Sequence, residues 1–333
     1  MAGTPLEQSA SAHGSLLGLV EAARRIERGA FLTIAGDEDL LRQLPRGNWI
    51  GGTIPYFMAQ DGGEMSRNRV FVSEIAHVSP APRIRFHDVT SLDRICVEAP
   101  DNGYSILIIP AFSAVHSHYA RNAPGFDDMF VKPLVGWVSG CHLDDIERAT
   151  PMVINGQTGE FDSERAVVMH VTLPDDCYAR VEIINLLAQG GGDDIRFPET
   201  GFSAHECLVN GAPSLLADYL EAHGGDLRLP LVADYCGAMV NVSFKSIDAS
   251  TRRVDFYAPV FKDTTYRLAR RLPPTHSSAE GGHAAFSCNC ILNYVHDGLE
   301  GRRTGAFTGP MTFGEIAYLL LNQTLVYLVI DRM

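Results

Sequence analysis

The chain has 333 residues, 46% of them apolar and 20% charged, with a formal net charge of −13 and a pI of about 5.3. That length exceeds one small core and favours two domains, or one domain of two similar halves. The acidic balance argues against a nucleic-acid partner, and no run reaches the ~18 apolar residues of a membrane helix.

Residues 1–15 lack the basic start and apolar core of a secretion signal and read as a disordered lead. Seven cysteines, an odd number without a CxxC pair, fit a reducing compartment with buried free thiols. A cytoplasmic protein is expected. Residues 16–28 (LLGLVEAARRIER) carry apolar positions at helical spacing and late basic residues, the pattern of a docking helix. Residues 30–36 (AFLTIAG) form a strand, Asp37 caps a helix over DEDLLRQL, and Trp49 to Pro55 (WIGGTIP) form a second strand. The crossover between these strands looks too short for a typical parallel unit.

Residues 69–78 and 83–89 are two further strands, and 104–111 (YSILIIPA) is a buried one. Residues 113–121 (SAVHSHYAR) are helical, and 134–140 (LVGWVSG) is a strand resembling the one at Trp49. Residues 152–156 and 166–171 read as a hairpin around Asn155-Gly156. Residues 213–222 (PSLLADYLEA) read as a helix with Pro213 in its first turn. Residues 238–248 and 253–260 read as one antiparallel pair. These elements predict an α+β fold of mixed, largely antiparallel sheets with flanking helices and two sub-domains. Residues 1–28 are the lead and docking helix, 29–200 the first sub-domain and 201–333 the second.

The closing stretch, residues 280–328, concentrates reactive residue types. Cys288 and Cys290, two apart on a strand, share a face, with Ser287 and Asn289 opposite. The functional reading is a nucleophilic or metal-binding thiol at Cys288 with His283 or His296 as base or co-ligand; packing of small buried residues is the commoner role for free cysteines. Glu315, between apolar runs, reads as a clamp or acid/base group that needs a partner such as Arg302 or Arg303 if buried, or equally as a helix-capping or turn carboxylate. Gly51, Gly52 and Thr53 can leave backbone N–H groups open to an anionic or carbonyl ligand, although close sheet packing is the commoner reason for such glycines. His116, His118 and His142 are the metal candidates, with polar loop histidines as the more frequent alternative. No G-x-S-x-G, H-E-x-x-H or G-x-G-x-x-G occurs, which excludes the familiar serine hydrolase, zincin and dinucleotide patterns.

The order of five stretches resembles the FIST family, an intracellular ligand-sensing module with N- and C-terminal parts. They are GNWIGGTIPYF; KPLVGWVSGCH with TPMVINGQTGEFDSERAVVMHVTL; ECLVNGAPSLLADYL; LVADYCGAMVNVSFKSIDASTRRVDFYAPVFKDTTYRLA; and AAFSCNCILNY with FGEIAYLLLNQTLVYL. Together they span residues 31–330. Cys290 departs from the glycine more usual there, and HSHYARNAPGFDDMF is unusual, so the chain looks like a divergent member. The resemblance implies binding of a small ligand. The expected protein is sensor-like, with the ligand between the two halves close to Gly51, Gly52, Cys288 and Glu315, and with Thr53, Asn289, Cys290 and Arg302 as further ligand-binding candidates. The sequence shows no kinase, cyclase or DNA-binding module, so such a sensor would act through a separate signalling partner. The alternative is an enzyme on the same scaffold, with Cys288, His283 and Glu315 as its catalytic set or a transition metal or haem as cofactor.

Overall fold

The computed structural model describes residues 14–75, 80–235, 238–273 and 284–333. Most of the regular structure is strand, with short helices on the outside. The first sheet runs Ser15–Leu17, Val70–Ile75, Phe31–Gly36, Trp49–Thr53, Val153–Asn155 and Glu160–Asp162. The second runs Leu319–Leu321, Glu315–Ala317, Leu134–Ser139, Gly103–Pro110, Ala166–Thr172 and Arg83–His87.

Each of these sheets is built on one parallel pair with a helix in the crossover. Phe31–Gly36 pairs parallel to Trp49–Thr53 across the Glu38–Leu41 helix. Gly103–Pro110 pairs parallel to Leu134–Ser139 across the Ala114–Asn122 helix. The likeness of the Trp49 and Leu134 strands therefore has a topological basis. The first crossover, residues 37–48, is parallel after all: a single helical turn, started by Asp37 accepting from the Asp39 N–H, is enough to bring the chain back.

Both sheets are buried on two faces, and strand alternation divides their side chains between cores. Ile106, Ile108, Val135 and Trp137 face inward with Ile50 and Ile54. Leu107, Ile109 and Leu134 face outward under Ile95, Val115 and Tyr119 of the helices. On the other side Leu32, Ile34 and Trp49 meet Ala22 and Ile26 of the Leu19–Glu27 helix. The docking helix is thus real but shorter than residues 16–28, because Ser15–Leu17 pairs as an edge strand with Val70–Val72.

A third sheet runs Cys177–Ile184, Leu325–Arg332, Ala284–Cys290, Gly309–Thr312, Tyr56–Ala59 and Gly62–Met65. Its closing strands pair with segments from both sides of residue 201, and Glu315–Ala317 joins the second sheet beside Leu134–Ser139. Residues 195–266 gather a separate core of Phe197, Leu216, Leu220, Phe256 and Tyr266.

Several local expectations are corrected. Asn155-Gly156 turns the chain into Glu160–Asp162, whereas Ala166–Thr172 belongs to another sheet. Asn210-Gly211, with φ of 50° and 84°, is the turn of a Glu206–Val209/Ala212–Leu215 hairpin. Pro213 is therefore a strand residue, and the helix spans Leu216–Ala222. Phe244–Ile247 pairs with Val254–Val260 as expected, but Ala238–Val242 pairs back onto Leu231–Tyr235.

Candidate functional site

The Ala284–Cys290 strand separates two environments, and its alternation decides which residue meets which. Cys288 and Cys290 point into the core, 1% and 0% exposed. Cys288 Sγ sits 3.3 Å from the Gly136 carbonyl oxygen. Ser287 and Asn289 take the other face: Ser287 Oγ donates to the Thr308 carbonyl at 2.7 Å, and Asn289 reaches a large cavity.

On the core side lies Glu315, fully buried. Its Oε2 accepts from the Thr324 N–H at 3.1 Å and the Thr324 hydroxyl at 2.8 Å, and Thr312 Oγ1 lies 3.5 Å from Oε1. The Cys290 thiol donates to the same carboxyl. Burial pushes the Glu315 carboxyl up to about 8, against the pull of these hydrogen bonds, so it is mainly neutral at pH 7. Burial, reinforced by Glu315, pushes both thiols well above their ordinary value. A thiolate is the nucleophilic form, so the surroundings of Cys288 and Cys290 are those of structural cysteines.

Arg302 and Arg303 are not the partners of Glu315. A threonine nine residues on serves instead, because the Asn322–Thr324 turn folds over the carboxyl. His283 lies outside the described residues. His296 is not a base for Cys288; its Nδ1 accepts from Gln323 Nε2 at 2.9 Å, which places the ring proton on Nε2.

The cavity on the Asn289 side has a volume of about 770 Å³, within the range of small-molecule sites. Ile184, Leu187, Leu299, Phe307 and Leu325 give it apolar walls. Asn289, Asn293, His296 and Gln323 supply polar groups, and Arg271, Arg302 and Arg303 stand at its rim. Asn289 Oδ1 is held by the Cys290 N–H at 2.7 Å and Asn293 Nδ2 at 2.9 Å. The rim carries one carboxylate, Asp297, which pairs with Arg271 at 2.9 Å. Arg302 donates to the Asp297 carbonyl at 2.9 Å, and Arg303 lies 3.5 Å from the exposed Asp61 carboxylate. Three guanidinium groups against one lining carboxylate make this an environment for an anion, while the walls suit an apolar body.

Residues 17–331 match the model of a family described as a family of unknown function, DUF6976. The chain belongs to that family. No curated protein and no solved structure matches it. The match carries no link to the FIST family.

Of the sequence candidates, the structure brings Cys288, Cys290 and Glu315 together in the core, and Asn289 and Arg302 together at the cavity. Gly51 and Gly52 are elsewhere and closely packed. A Cβ on Gly51 would meet the Ile34 carbonyl oxygen at 2.7 Å, and one on Gly52 would meet Ile108 of the facing sheet at 2.8 Å. Thr53 and His142 share a cleft of about 150 Å³ at the carboxyl ends of the parallel strands. There Arg67 is already paired with Asp145 at 2.5 Å, and Thr53 Oγ1 donates to the Gly140 carbonyl at 2.7 Å.

His116, His118 and His142 do not converge on a common point. His116 is half-buried beside Phe202, with desolvation of its ring lowering its pKa to about 4; His118 stacks on Phe126; His142 stacks on Tyr56. A helix sets His116 and His118 on different faces, and His142 follows a strand of the second sheet. Arg271 and His296 at the cavity had a weaker signal in sequence. Arg271 ends an alternating strand, and His296 follows the closing strand at a helix end.

Proposed function

We propose that the protein is a cytoplasmic, sensor-like small-molecule-binding protein of FIST-type architecture in two sub-domains, and that its ligand is an anionic metabolite with an apolar body. The observation that carries this reading is the cavity of about 770 Å³ with apolar walls and an arginine rim. Its lining comes from residues 184–187 and from residues 271–325, which supports a ligand held between the two parts of the chain. The ordered motifs from GNWIGGTIPYF to FGEIAYLLLNQTLVYL support the family resemblance. A signalling role would run through a separate partner protein. No helix among the described residues is long and apolar enough to cross a membrane.

The enzyme alternative draws no support from the thiols, whose burial and raised pKa values disfavour attack. The test is a thermal-shift screen of organic acids and phosphate esters on the purified protein, with native mass spectrometry for a co-purified ligand and an absorption spectrum for haem. At 100-fold excess over Kd a true ligand stabilises by about 2.7 kcal/mol, a clear rise in Tm. Arg302→Ala should weaken an acidic ligand roughly tenfold, as expected for loss of one charge-assisted hydrogen bond of ~1.5 kcal/mol. No shift with any acid and no co-purified molecule would sink the reading.

A further inference from the structure

Outside the cavity, one group of side chains is arranged as if for a ligand that no sequence motif announces. We propose that His87, Glu98 and His170 form a binding site for a divalent transition metal of the zinc and iron class. Among the described residues this is the one group of three His, Cys, Asp or Glu side chains whose ligand atoms all lie within 4.8 Å of one another.

The site is built from a strand pair and the helix that covers it. His87 ends the edge strand Arg83–His87, and His170 stands on the neighbouring Ala166–Thr172 strand. The register opposes Ala166 to His87 and His170 to Arg83. Residues 83, 85 and 87 therefore share a face with residues 166, 168 and 170, and the two histidines point to the same side from opposite ends of the ladder. Glu98 comes from the Ile95–Glu98 helical turn packed over that face.

Both rings are anchored at Nδ1 and open at Nε2. His87 Nδ1 is 2.9 Å from the Ser91 carbonyl oxygen, which can only accept, so its proton is on Nδ1 and its Nε2 carries the lone pair. His170 Nδ1 is 2.8 Å from the Ser105 hydroxyl. The two Nε2 atoms are buried and have no hydrogen-bond partner, in rings only 3% and 2% exposed. Buried polar atoms ordinarily have partners. A second-group contact on one ring nitrogen with the other left for a metal is the usual arrangement of a ligating histidine. Two imidazoles and one carboxylate, with positions left over for water or substrate, suit zinc or iron(II).

Positive charge surrounds the group. Arg94 lies 3.2 Å from Glu98 Oε1 and Arg85 3.8 Å from Oε2. The same cations oppose a metal ion, and the Glu98 carboxylate offsets them. Glu98 is 19% exposed in its side chain, which gives the metal an entry from the sheet edge.

The test uses tag-free full-length protein stripped with a chelator and titrated with Co²⁺, followed by visible absorption, and with Zn²⁺, followed by calorimetry. One equivalent should bind, with visible Co²⁺ bands and a Zn²⁺-dependent rise in Tm. His170→Gln and Glu98→Gln should each weaken binding at least about tenfold. If His170→Gln does not fold, Glu98→Gln, which alters a side chain that reaches the surface, decides the matter alone. No saturable binding at about 1 mM metal, or an unchanged affinity in Glu98→Gln, overturns the site and leaves a buried water as the bridge between the two rings.

Discussion

Two polar groups in the interior of this protein, each with one glutamate, come out differently. Around Glu315 the hydrogen bonds close on themselves: the Thr324 N–H, the Thr324 hydroxyl and the Cys290 thiol all point at one carboxyl. Around His87 and His170 the Nδ1 atoms are held, by Ser91 and Ser105, and the Nε2 atoms are buried without a hydrogen-bond partner among the described residues. A satisfied buried network fixes a fold. One left open on its inner side is arranged for something it does not itself supply. The contrast gives the cysteine cluster that looked reactive in sequence the surroundings of a satisfied network, and the proposed metal site falls on histidines that the sequence reading did not single out.

The largest expected effect is at the closed group. Glu315→Ala leaves the Thr324 donors buried without an acceptor and opens a void, and should destabilise by roughly 3–4 kcal/mol in urea unfolding. A loss below about 1 kcal/mol would show that the network is not holding the closing strands together.

The next effect is a pH dependence. The folded-state value of Glu315, about 8, lies above the ordinary value of 4.5. Between these values the folded state keeps a proton that the unfolded state has released. The contribution of Glu315 therefore falls as pH rises from 4.5 through about 8, and is constant outside that window. Glu315→Gln, which cannot ionise, should flatten the fall in urea midpoint between about pH 5 and pH 8. An unchanged slope would mean that other groups produce it.

The smallest effect is at the open group. In metal-free protein, Glu98→Gln removes only partly exposed pairs with Arg85 and Arg94 and should change stability by no more than about 0.5 kcal/mol. The metal titration then separates the two groups: it should respond to Glu98→Gln and ignore Glu315→Gln. A large loss of stability in metal-free Glu98→Gln would instead make the histidine group a second structural network.

Local patterns carried far in this chain. The alternation of SCNC sent Cys288 and Cys290 to one face and Ser287 and Asn289 to the other, as the period of a strand requires. Asp37 and Ser113 cap the helices that follow them. The likeness of the Trp49 and Leu134 strands reflected two parallel units. The Asn155-Gly156 step was legible as a turn, but its partner was not: it leads to Glu160–Asp162 and not to Ala166–Thr172. Turn chemistry acts over a few residues, whereas strand pairing is chosen by the whole sheet.

What the sequence determined by itself was the class of the protein: mixed α and β with largely antiparallel sheets, buried thiols and an acidic balance. Only the tertiary structure decided where its polar groups meet. The cavity draws Ile184, Arg271, Asn289 and Gln323 from separate strands and loops, and His87, Glu98 and His170 converge through a strand register and a helix laid across it. Periodicity is a property of neighbouring residues and can be read along a chain. Convergence depends on which strands pair and in what register, and that is settled by burying the apolar faces of the whole molecule at once.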